Sequence, residues 1–251
     1  MSHLVLASTS RATDAGWLAA ADIHTITAGL GVQYRLIGGL AVTLLVHAHG
    51  ADGLAPQRET ADADLGVSVE TCGDRRFLPA LLSAGYAQVQ GNRLERATGS
   101  HTLVIDVLTP SYVGRLLPNQ AHGELVVDEV PGLLTALGRP ATPVDVTAVL
   151  TDGTELSTRL LLPDVTAALV MKALAYRGRF GTQDATDIHR LLEASNEAGR
   201  RVDDWPTNSE SRDAAAVLHQ FFGSARPSGH VGPAAARIRL LVRKLVPAPP
   251  R

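Results

Sequence analysis

Apolar residues recur along this chain in two rhythms, one near 3.6 residues and one of two, and the switches between them mark out elements. Residues 13–30 carry Ala and Leu at helical spacing, with Thr13 or Asp14 placed to cap the start. A short apolar stretch, residues 33–37, predicts a strand. Residues 39–49 predict a helix buried all round, because Leu40, Val42, Leu44, Leu45 and Val46 leave almost no polar face. Gly and Pro then make a loop of residues 50–57. Residues 61–69 alternate: Ala63, Leu65, Val67 and Val69 face one side, Asp62, Asp64, Gly66 and Ser68 the other. A helix over 72–86 follows. Strands at 94–96 and 102–108 pair around Thr98-Gly99-Ser100, residues 110–123 read as irregular, and a short helix fits 133–137.

Strands at 144–150 and 155–162 flank Asp152-Gly153, a strong hairpin signal. Asp164 then caps a helix over 165–176, and further helices fit 184–194, 213–222 and 233–246. The pattern predicts an α/β (α+β) protein, with a small mixed-sheet domain in residues 1–162 and a mainly helical domain in residues 163–251.

At 251 residues and 45% hydrophobic, the chain can bury a real core. Its net charge of −2 gives no global nucleic-acid signature, but no acidic residue follows Asp213. Arg226, Arg237, Arg239, Arg243, Lys244 and Arg251 leave that tail basic, either a solvated helix face or a phosphate-holding one. Cys72 is the only cysteine, which excludes an internal disulfide and a Cys-x-x-Cys metal knuckle. With no secretory leader and no membrane-length apolar run, the expectation is a soluble cytoplasmic protein. The histidines lack metal spacing, and His-Glu-x-x-His, Gly-x-Ser-x-Gly, Walker and Rossmann signatures are all missing.

What remains is a set of acids and a glycine pair. Asp62 and Asp64 share a strand face roughly 6–7 Å apart, and repel unless a cation stands between them. The plainer alternative is a solvated strand face, and the loop pattern excludes an EF-hand. Asp106 lies among Leu103, Val104, Ile105, Val107 and Leu108, where an unpaired charge would cost several kcal/mol. Its ordinary partner would be Arg58 or Arg96; its functional one, a divalent cation shared with Asp62 and Asp64 if the two strands are neighbours. Gly38 and Gly39 sit where a strand passes into a helix, a place where a phosphate can meet the backbone. Lys172 shares an inward stripe with Val165, Ala168, Leu169 and Tyr176, and either snorkels out or meets an anion. Arg177 and Arg179 follow near the helix end. Asp184 is most simply an N-cap, while Asp187, beside Ile188 and Leu191, is placed to orient Lys172 or Arg177.

The order Gly38-Gly39, Arg58-x-Thr60-x-Asp62-x-Asp64 and a lone Asp106 resembles the polymerase-β-type nucleotidyltransferase superfamily. Lys172-Ala-Leu-Ala-Tyr-Arg177 followed by Asp184-Ala-Thr-Asp187 resembles the AbiEii family, which includes abortive-infection toxins and the related MenT toxins. The resemblance spans about residues 30–195. It implies a nucleotidyltransferase core, one or two Mg²⁺ ions on Asp62, Asp64 and Asp106, and nucleotide contacts from Gly38, Gly39, Arg58, Thr60, Lys172 and Arg177. It further implies a catalytic need for Asp184 or Asp187. A nucleoside triphosphate (ATP or CTP among them) would be the donor. A tRNA 3′ end would be the acceptor, within a type IV-like toxin–antitoxin pair. Leu40 departs from the Ser or Thr that often follows the glycine pair in that family. Two alternatives stay open: the same chemistry on a small molecule or protein, and a non-catalytic nucleotide- or RNA-binding module.

Overall fold

The computed structural model describes residues 2–99, 101–225, 232 and 234–249. In chain order the elements are β1 (Ser2–Ala7), α1 (Arg11–Leu30), β2 (Tyr34–Ile37), α2 (Gly38–Ala48), β3 (Ala63–Val67), α3 (Val69–Cys72), α4 (Phe77–Ser83), β4 (Ala87–Gln90), β5 (Arg93–Thr98), β6 (His101–Pro110), β7 (Leu117–His122), β8 (Leu125–Val130), α5 (Leu133–Gly138), β9 (Thr142–Val149), β10 (Glu155–Leu162), α6 (Val165–Arg179), α7 (Thr182–Glu197), α8 (Ser209–Phe221) and α9 (Ala235–Leu245). The protein is mixed α/β, with a helical C-terminal part. Ser100 of the turn signal, Pro233, and Arg226 and Arg251 of the basic tail lie outside the described residues.

Two sheets form. The larger runs β2-β3-β6-β5-β4, with β8 pairing β6 and β7 pairing β8. Its long strand β6 runs parallel to β3 and antiparallel to β5. The smaller sheet is β1-β9-β10: the expected hairpin β9-β10 carries β1 in parallel, Ser2 opposite Val144 through Ala7 opposite Val149. The apolar core is continuous from sheet to helices. Leu36, Leu65 and Ile105 belong to the same cluster as Leu44 and Leu45 of α2, Leu169 of α6, and Ile188 and Leu192 of α7.

Several local expectations need correction. Helix α1 is capped by Ser10, whose hydroxyl accepts from the Thr13 amide at 3.2 Å, and not by Thr13 or Asp14. Asp14 is buried and accepts from the Thr151 amide at 3.1 Å and from the Thr151 hydroxyl. The helix expected over 72–86 is two short ones. Between them the Asp74 carboxylate takes the Arg76 amide at 2.9 Å, a local bond that competes with helix. Strands β1, β4, β7 and β8 were not legible as strands; β4 and β7 are polar and largely exposed. Strand β7 contains Pro118, and its pairing with β8 slips between Leu117 and Gln120. Helix α7 starts at Thr182 with Gly181 as cap, so Asp184 sits inside the first turn and caps nothing.

Candidate active site

One row of residues crosses the larger sheet: Ile37 on β2, Asp64 on β3, Asp106 on β6 and Arg93 on β5, each in register with the next. Residues in register share a face, so Asp64 and Asp106 stand side by side. The neighbouring strands on which a shared site depended are therefore present. Asp62 lies just before β3.

Strand β2 turns into α2 within one residue. Gly38 has φ +71°, and a Cβ there would lie 1.6 Å from Asp64 Oδ2. Only glycine lets that carboxylate rest on the backbone. A Cβ on Gly39 would fall 2.4 Å from Thr60 Oγ1 and 2.6 Å from Arg58 Nη1. The residue before the helix is Ile37, so no side chain caps the first-turn amides. Leu40 is a core residue, and the hydroxyl beside the glycine pair is that of Thr60, buried and without a hydrogen-bond partner.

Asp64 forms no hydrogen bond or ion pair with any described residue. Burial, then the Asp62 charge, pushes its pKa up to about 7; Asp106 adds to the rise, and Lys172 and Arg179 oppose it. Asp106 differs. Arg93 grips it with Nε at 3.0 Å from Oδ1 and Nη2 at 2.9 Å from Oδ2, and the same Nη2 lies 3.8 Å from Asp62. The bidentate contact pushes the Arg93 pKa up. Of the ordinary partners expected for Asp106, Arg96 instead joins Asp22 and Arg58 joins Asp187.

Across from the row, helices α6 and α7 hold a second charged cluster. Lys172 is buried, its Nζ 2.9 Å from Asp187 Oδ2 and 3.7 Å from Asp184 Oδ1. Arg58 Nη1 reaches Asp187 Oδ2 at 2.7 Å, and Arg190 Nη1 approaches Oδ1 at 3.6 Å. Arg179 grips Asp184 with Nε at 2.5 Å and Nη2 at 2.7 Å. Asp187 thus pairs with Lys172, and not with Arg177. Arg177 donates to the Gly114 carbonyl at 2.7 Å and meets Asp213 at 3.2 Å.

A cavity of about 430 Å³ joins the two clusters. Gly38, Asp64, Asp106, Lys172, Arg177 and Arg179 contribute part of its polar wall, which also includes Asp128, and Val42, Leu108, Val130 and Met171 part of its apolar one. Asp62 and Arg93 line a separate depression with Arg11 and His101.

Among the described residues, no group of three or more His, Cys, Asp or Glu side chains stands together as a ready metal shell. Asp64 nonetheless fits a divalent cation: it is a half-buried carboxylate at the cavity wall without a partner, and neighbouring negative charge opposes its ionisation. Asp62 is the nearby second carboxylate. Asp106 has its two oxygens committed to Arg93.

Arg93 and Arg190 carry no signal of their own in the sequence motifs. Arg93 could have been found by counting back from the turn, since Thr98 opposite His101 puts Arg93 opposite Asp106. Arg179 was noticed, but not as the partner of Asp184.

No protein-family model matches the chain. No curated protein matches it either. Among solved structures, an antigenic nucleotidyltransferase-like protein from Paracoccidioides brasiliensis is similar, with a TM-score of 0.48 and 17% identity over 96% of this chain and 95% of that one. No helix among the described residues is long and apolar enough to cross a membrane.

Proposed function

We propose that this protein is a nucleotidyltransferase that moves a nucleoside monophosphate from a triphosphate donor to an acceptor hydroxyl. The observation that carries the reading is Asp64: an unpartnered carboxylate lodged on Gly38, beside Asp106, at a cavity that also holds Lys172. The uncapped start of α2 and the Thr60 hydroxyl suit phosphate oxygens. Lys172 and Arg179 bring positive charge to the opposite wall, since the helical cluster sets four cations against two acids.

Asp64 and Asp62 would hold Mg²⁺, with Asp106 joining if Arg93 releases it. When bound, the ion supplies charge stabilisation at the phosphates and at the attacking oxygen. In the reaction the acceptor oxygen forms a bond to the α-phosphorus, and the bond from that phosphorus to the β-bridging oxygen breaks. Pyrophosphate leaves, and the hydroxyl proton passes to a carboxylate of the row. The chain's own part is positioning: the glycine turn and Lys172 fix the triphosphate, and the apolar wall excludes water.

The acceptor we favour is a tRNA 3′ end. A toxin role with a cognate antitoxin follows from the likeness to the AbiEii and MenT blocks. A small-molecule or protein acceptor is the alternative within the same chemistry. Incubation with each α-labelled triphosphate, Mg²⁺ and total tRNA tests the reading. Label in RNA with pyrophosphate release, lost in Asp64→Asn, is the expected result. Label in protein or a small molecule moves the acceptor, and transfer that survives Asp64→Asn sinks the mechanism.

A second reading, a non-catalytic nucleotide-binding module, is favoured by the Arg93 grip on Asp106 and by Leu40 at the glycine turn. Calorimetry separates the two: this reading requires nucleotide binding that does not depend on Mg²⁺ and releases no pyrophosphate.

A further inference from the structure

Arg93 stands where a cation site needs vacancy. Its guanidinium covers both oxygens of Asp106 and reaches towards Asp62, so one positive group serves the carboxylates on either side of Asp64. The pairing follows from the sheet, because Arg93 and Asp106 are opposite each other across β5 and β6. Yet the arginine is not locked in the core. Its side chain is 43% exposed, and it borders the depression that Arg11 and His101 also line. A long cationic side chain with open space beside it can leave one anion for another. Asp64, by contrast, has no resident cation.

We propose that Arg93 is the site's resident counter-ion and makes it take a divalent cation together with a polyphosphate rather than alone. The inference rests on the nucleotidyltransferase reading of the carboxylate row. A bare cation that recruits Asp106 must break a bidentate pair and leave Arg93 only its looser contact with Asp62, at 3.8 Å. A cation arriving with a triphosphate brings phosphate oxygens that give the displaced guanidinium a new partner. Binding of cation and polyphosphate is therefore coupled through one side chain, and the coupling is reciprocal.

The test measures the Mn²⁺ retained by the protein in equilibrium dialysis, with and without inorganic triphosphate, which carries no base and no transferable nucleotide and equilibrates across the membrane on its own. Wild type should bind Mn²⁺ weakly alone and at least about tenfold more tightly with triphosphate. Arg93→Gln should bind Mn²⁺ alone at least about tenfold more tightly than wild type, and gain much less from triphosphate. Arg93→Lys, which keeps the charge but loses the fork, should fall between them and guards against a folding defect in the glutamine variant. If Arg93→Gln and Arg93→Lys bind Mn²⁺ no more tightly than wild type, the proposal is overturned. Asp64→Asn separates the two readings. Mn²⁺ binding that Asp64→Asn removes but Arg93 variants leave unchanged overturns the counter-ion role alone. No Mn²⁺ binding in any form, even with triphosphate, overturns the metal site with it.

Discussion

The two acidic clusters facing each other across the cavity are built on opposite plans. On α6 and α7, Asp184 and Asp187 are fully buried and meet Lys172, Arg58, Arg179 and Arg190. On the sheet, Asp64 has no partner and Asp106 has one. The helical cluster is over-compensated, with four cations on two acids. The sheet cluster is under-compensated: with no cation of its own, Asp64 holds its proton up to about pH 7. Buried charge costs several kcal/mol unless paired, so a fold that leaves one acid unpaired points to a ligand that completes it.

The sharpest way to break this contrast is Asp187→Ala. It strands Lys172, Arg58 and Arg190 around an empty centre, and should cost about 3–5 kcal/mol in urea unfolding. A loss below about 1 kcal/mol would mean that the cluster does not hold the helices. Next in size, Asp64→Asn should lower nucleotidyl transfer on the order of 10²–10³-fold while the protein stays folded. Circular dichroism and the transfer assay together check this, and an unfolded variant would put Asp64 in the structural class instead.

The third prediction concerns pH. Asp64 in the fold titrates near 7, against an ordinary carboxyl near 3.8. The folded state therefore holds a proton that the unfolded chain has released. The stability this group contributes is full below about pH 4 and is lost as pH rises through 7, up to a few kcal/mol in all. Without divalent cations, wild type should lose stability relative to Asp64→Asn between pH 5 and pH 8. A difference in melting temperature that stays flat across that range contradicts the placement of Asp64. The smallest effect belongs to Arg177→Ala. Its acidic partner Asp213 is 56% exposed, so stability should change by about 1 kcal/mol or less, while triphosphate binding weakens measurably by calorimetry.

The sequence revealed the site's acids better than their company. Asp106 stood out because every neighbour in its strand is apolar, and the fold puts it next to Asp64 as strand pairing required. Gly38 and Gly39 were legible as a strand-to-helix turn. Their strictness was not, because it comes from Asp64, Thr60 and Arg58 arriving from elsewhere in the chain. Lys172 was readable as an inward lysine. Its partners were narrowed only to the next helix, since rotation of one helix against another leaves no mark in either sequence. Strands β1 and β7 stayed hidden for different reasons. β1 finds its partner 142 residues away, and β7 is a polar edge strand with a proline.

Glu210, near the start of α8, sends its carboxylate to the first turn of α5. It accepts from the Gly132 amide at 2.6 Å, the Thr135 amide at 2.9 Å and the Thr135 hydroxyl at 2.6 Å. These amides are made early and their acceptor late. During synthesis at about 5–20 residues per second, α5 waits several seconds for the segment that ties it down. The order of translation thus leaves the cavity's surroundings unfinished until α8 emerges, and a ribosome paused before the codon for Glu210 would display a nascent chain with that knot still untied.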